Sequence, residues 1–65
     1  MDLAQLTLMA NQIARNFAVQ GDERAAAATA EHIKLYWEPR MTAAIRAGGG
    51  ADLSPIAAAA VQRLD

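Results

Sequence analysis

His32-Ile33-Lys34-Leu35-Tyr36-Trp37-Glu38-Pro39-Arg40-Met41 is the stretch that decides the fold. It holds the only histidine, tyrosine and tryptophan of the chain and one of its two prolines. Elsewhere alanine dominates, at about one residue in four, so shape has been specified most closely here. Proline pushes the residue before it, Glu38, out of helical geometry. It also suits the first position of a new helix. The sequence therefore predicts one helix ending near Trp37, a tight corner at Trp37-Glu38-Pro39, and a short helix over about 39–47. Met41, Ala44 and Ile45 form the apolar face of that short helix.

Working back from the corner, Ala26, Ala30, Ile33 and Trp37 recur at the three-four spacing of a helix. The face begins with methyl groups, which allow close approach of another helix, and ends with an indole that fills a wider gap. Gly21-Asp22 marks a turn, with Asp22 as the expected N-cap and Glu23 suited to the positive end of the dipole. Before it, Leu3, Leu6, Ala10, Ile13 and Phe17 make an apolar stripe, flanked by Met9, over a helix expected at 3–19. Asp2 and Gln5 have capping-box spacing, and Gly21 supplies the stop.

Working forward, Gly48-Gly49-Gly50 reads as a flexible linker. Ser54-Pro55 reads as an N-cap followed by proline at the first helical position. A final helix over about 55–64 offers Ile56, Ala60, Val61 and Leu64 for burial. At roughly 25 cal/mol per Å², that apolar area predicts loose attachment. The expected fold is all-α: a small three- to four-helix module with a proline-marked corner between helices 2 and 3. A core over 1–47, a Gly-rich segment over 48–54 and a C-terminal helix over 55–65 divide it.

The chain has 65 residues, no cysteine and a net charge of −1 from six basic and seven acidic residues. A chain this short buries only about 60% of its unfolded surface, and such domains lean on disulfides, a metal or a partner. Lack of cysteine removes disulfides and thiolate metal sites, and one histidine completes no structural zinc site. A partner chain is the support left. No basic stripe marks a nucleic-acid surface, no apolar run approaches the roughly 18 residues of a membrane span, and no secretory signal opens the chain. A cytoplasmic location is the default expectation.

No nucleophile–base pair can be assembled from three threonines, one serine and one histidine. The glycine run lacks the Lys-Ser/Thr of a phosphate loop. The chain therefore reads as non-enzymatic. His32 suits a surface or interface hydrogen bond better than a ligand role. Tyr36 and Trp37 suit a core anchor or an interface hot spot, with a stacking platform as the alternative. Arg40 stands in a first helical turn, where the dipole disfavours a cation; it is either solvated or matched by an acidic group of another chain.

Met9-Ala10-Asn11-Gln12-Ile13-Ala14, then Phe17, then Ala30-x-His32-Ile33-x-x-Tyr36-Trp37-x-Pro39-Arg40-Met41 resemble the delta subunit of NAD-dependent formate dehydrogenase. The likeness runs from about Leu3 to Ile45, with an echo at Leu53-Ser54-Pro55. Tyr36, Glu38 and Thr42 stand where that family more often has Phe, Asp and Arg. The resemblance implies an accessory subunit with no redox centre of its own, in a cytoplasmic complex. The catalytic alpha subunit of such a complex carries a molybdenum or tungsten bis-pterin guanine dinucleotide and iron–sulfur clusters, and beta and gamma subunits carry FMN and NAD. On this reading the expected partner surface comprises Phe17, Tyr36, Trp37, Pro39, Arg40 and Met41, with Asn11, Gln12 and Arg15 supplying hydrogen bonds. The rival expectations are a transient cofactor-insertion chaperone for the same alpha subunit and a free-standing helical homodimer.

Overall fold

Asp2 begins the first helix as predicted, its carboxylate accepting the Gln5 backbone N–H at 2.9 Å. The computed structural model describes residues 2–64; Met1 and Asp65, the outer ends of the segments expected at 1–47 and 55–65, lie outside the described residues. Four α-helices make up the fold: α1 (Leu3–Phe17), α2 (Asp22–Tyr36), α3 (Pro39–Gly48) and α4 (Pro55–Gln62). They enclose one core within about 28 × 22 × 16 Å.

The turn between α1 and α2 differs in detail from the sequence reading. The α-helix stops at Phe17 and residues Ala18–Gln20 tighten into a 3₁₀ turn, a common way to finish a helix. Gly21 takes φ +94°, a region that penalises any side chain, and it is Gly21 that occupies the N-cap position of α2. Asp22, expected as the cap, is instead the first helical residue. With Glu23 it places two carboxylates in the first turn, where they favour the dipole.

Ala26, Ala30, Ile33 and Trp37 are buried as expected, joined by Ala25 and Thr29. On α1 the buried face is Leu6, Thr7, Ala10 and Ala14, so it is turned away from the predicted stripe: Ile13 and Phe17 lie at its edge and Leu3 is exposed. Small residues win the centre because they let helix axes come together, which raises dispersion contact on every neighbouring atom. Thr29 Oγ1 is buried without a hydrogen-bond partner, and a buried unpaired hydroxyl costs about 1–3 kcal/mol. Thr29→Val is expected to raise unfolding free energy by about 1 kcal/mol, measured by urea titration; a lower value would mean that the hydroxyl finds a partner in solution.

The corner forms as read. Trp37 N–H closes α2 on the Ile33 carbonyl at 2.9 Å. Trp37 and Glu38 are extended, and Pro39 opens α3. The Glu38 carbonyl then accepts Met41 N–H at 2.9 Å, Thr42 N–H at 3.1 Å and the Thr42 hydroxyl at 3.4 Å. Of the face expected on α3, Ile45 is fully buried and Met41 half-buried, but Ala44 is exposed.

The attachment of α4 is closer than its apolar area suggests. It packs most extensively against α2 and also against α1, burying Ala57, Ala60 and Leu64, with Ile56 and Val61 packed at the margin. Ser54 caps it, its hydroxyl accepting Ala57 N–H at 3.2 Å. Asn11 fastens the approach to it: Nδ2 donates to the Asp52 carbonyl at 2.9 Å and Oδ1 accepts Ser54 N–H at 2.8 Å. Asn11→Ala removes both bonds and is expected to cost about 1–3 kcal/mol. Hydrogen exchange should show the loss first in α4 amides; uniform exchange across the chain would refute a local tie.

Candidate functional site

Adjacent residues at the α2 terminus take opposite roles. Trp37 turns inward and is 8% exposed, a core residue, whereas Tyr36 is 71% exposed. His32, one turn before Tyr36, stacks on it with ring centroids 4.7 Å apart and planes inclined by 44°. On its other side His32 meets the half-buried Phe17 edge-on at 6.4 Å and 63°. Such tilted geometries suit aromatic quadrupoles better than a face-to-face sandwich. A row of three rings thus ties the end of α1 to the last turns of α2.

Beside this row an open groove of about 460 Å³ runs between the two helices. The α1 wall is Leu8, Met9, Gln12 and Ile13, and α2 gives His32, Tyr36 and Trp37. Met41 of α3 completes the lining. Small buried side chains, Ala14 on α1 and Ala25 and Ala26 on α2, lie toward the connecting turn. Larger ones lie at the far end, where the groove opens. No Asp, Glu, Lys or Arg lines it, although the chain carries 13 such residues, 6 basic and 7 acidic.

Of the six residues expected at a partner surface, Tyr36, Trp37 and Met41 therefore meet at one groove, and Phe17 joins them through His32. Pro39 is exposed and Arg40 points elsewhere, bordering a second hollow with Glu38 and Ala44. The Arg40 side chain is 92% exposed and lies 3.6 Å from Glu38 Oε1, a surface pair of little energetic weight. Asn11, half-buried, makes its two hydrogen bonds inside the chain, to Asp52 and Ser54, while Gln12 and Arg15 are exposed. Sequence reasoning missed Leu8, which is 68% exposed. The signal was a leucine off the core stripe in a helix with a single charged residue, Arg15.

Among the described residues no group of three or more His, Cys, Asp or Glu could hold a metal ion, and no helix is long and apolar enough to cross a membrane. The arrangement is suited to binding through apolar contact and neutral hydrogen bonds. The family model described as NADH-dependent formate dehydrogenase delta subunit FdsD matches residues 5–61. Neither curated proteins nor solved structures give a match.

Proposed function

The chain belongs to the NADH-dependent formate dehydrogenase delta subunit family, and on that premise we propose that it acts as a non-catalytic accessory subunit of a cytoplasmic formate dehydrogenase complex. It docks on the catalytic alpha subunit and supports the assembly or stability of that subunit, and through it joins the beta and gamma subunits. The bis-pterin guanine dinucleotide with molybdenum or tungsten, the iron–sulfur clusters, FMN and NAD belong to those larger subunits. The observation that carries the reading is the uncharged groove edged by exposed apolar side chains. Aromatic residues and methionine are enriched, and charges depleted, at the centres of protein interfaces. In this proposal Phe17, Tyr36, Arg40 and Met41 contact the partner, while Trp37 and Pro39 hold the corner that presents them.

Two exposed positions test it without disturbing the fold. Tyr36→Ala and Arg40→Ala should melt within a few degrees of the wild type, since surface changes away from special features stay near 0.5 kcal/mol. Retention of the alpha subunit on the immobilised chain should fall at least tenfold for Tyr36→Ala, as for an interface hot spot, and less for Arg40→Ala. Wild-type retention by both variants would refute the corner as a contact surface.

A further inference from the structure

We propose that Met9 and Met41 form a modification site: a hydroperoxide oxidises their thioethers to sulfoxides in the folded chain, and the change loosens α3 from α1. Access is the first argument. Both side chains line the open groove of about 460 Å³, so a small oxidant reaches them without unfolding the chain. Hydrogen peroxide is neutral, and it meets a lining that carries no Asp, Glu, Lys or Arg. In the reaction one peroxide oxygen bonds to sulfur as the O–O bond breaks. Sulfur gives up an electron pair, the peroxide is reduced, and the other oxygen leaves as water. Since Met41 is also assigned to the partner surface, the form open to oxidation is the chain before it docks.

Position is the second argument. Met9 belongs to α1 and Met41 to α3, and each packs against the core cluster that contains Leu6, Trp37 and Ile45. Among the other helices α3 packs most extensively against α1. Met41 stands one turn before Ile45, the fully buried side chain of α3. A thioether fills such a margin as an apolar, adaptable group, whereas its sulfoxide is polar and chiral. The new oxygen needs a hydrogen-bond donor. Donors line the groove rather than the core: the Gln12 amide, the His32 ring and the Tyr36 hydroxyl. Each oxidised side chain therefore gives up core contact to face the groove. In a domain this small stability is marginal, so α3 feels the loss first. Methionine sulfoxide reductases can reverse the change.

The test uses the full chain, free in solution, so its outcome is independent of the catalytic subunit. Hydrogen peroxide is added, and peptide mass spectrometry follows Met9, Met41 and, separately, Met1. Sulfoxide should form at Met9 and Met41 in buffer within about tenfold of the rate in urea, because local access suffices. The oxidised chain should melt at least about 4 °C lower, with hydrogen exchange quickening in α3 amides first. Treatment with methionine sulfoxide reductases should restore both. Met9→Leu/Met41→Leu keeps the apolar volume and should melt near the wild type, with no shift after peroxide. That variant separates the two sulfurs from Met1, His32, Tyr36 and Trp37. Each single leucine variant should show part of the wild-type shift, which keeps the test decisive if the double variant folds poorly. Oxidation that requires urea overturns the proposal. So does an unchanged melting temperature with sulfoxide at both positions, or a full shift in the leucine variants.

Discussion

Trp37→Ala is expected to cost about 3–5 kcal/mol, the range for removing a buried large aromatic side chain. A single core in a domain of this size rarely supplies more than about 3–5 kcal/mol, so the variant should be largely unfolded at room temperature. The reason lies in the corner. The indole is the last residue of the α2 stripe and packs in the same cluster as Leu6, Ile33, Ile45 and Leu64. It is also where the backbone leaves helical geometry, so its side chain fixes the direction in which α3 departs. Far-ultraviolet circular dichroism with urea titration measures the effect. Trp37→Phe, which keeps an aromatic ring but opens a cavity, should fall between the two. A loss below about 1 kcal/mol for the alanine variant would mean that the indole is not a core residue.

Ile45→Ala should follow, at about 2–5 kcal/mol. Ile45 is the one fully buried side chain of α3, so this helix has no second anchor of equal weight. Its carbonyl also accepts Gly49 N–H at 2.9 Å, and a side chain at Gly49 would place a Cβ 2.6 Å from that same oxygen. Glycine at 49 therefore permits a close turn that the flexible-linker reading did not require. Hydrogen exchange should show α3 amides losing protection in Ile45→Ala before those of α1 and α2. Loss of protection across all helices at once would show instead that α3 is part of one cooperative unit.

Local signals made much of the fold legible. Pro39 placed the corner because its ring acts on the adjacent residue, whatever the rest of the chain does. Ser54-Pro55 placed the start of α4 for the same reason, and the spacing of Ala26, Ala30, Ile33 and Trp37 gave the inner face of α2. Two kinds of information were not local. The Asn11 bonds span 41 and 43 residues in sequence, so nothing near Asn11 announced that its amide ties the approach to α4. The seat of α4 was undervalued because area bookkeeping counts an alanine as little surface. Ala57 and Ala60 matter by what they omit, allowing α2 and α1 to close over them. The family name was likewise readable from two short motifs, and the match over residues 5–61 agrees with it.

The candidate surface was half legible for a related reason. Tyr36 and Trp37 were conspicuous by type, yet only tertiary packing separates the exposed ring from the buried one. Met9 flanked the predicted core stripe and Leu8 stood off it, and only the packed structure, whose buried α1 face is Leu6, Thr7, Ala10 and Ala14, shows both at one groove.

The most direct test of the account is to tag this chain in its own host, purify it, and determine the stoichiometry of what elutes together with formate-dependent NAD reduction. The account predicts the large formate dehydrogenase subunits in fixed ratio with the chain, and an active eluate. Recovery of the chain alone as a folded homo-oligomer, or its absence from active enzyme, would contradict it.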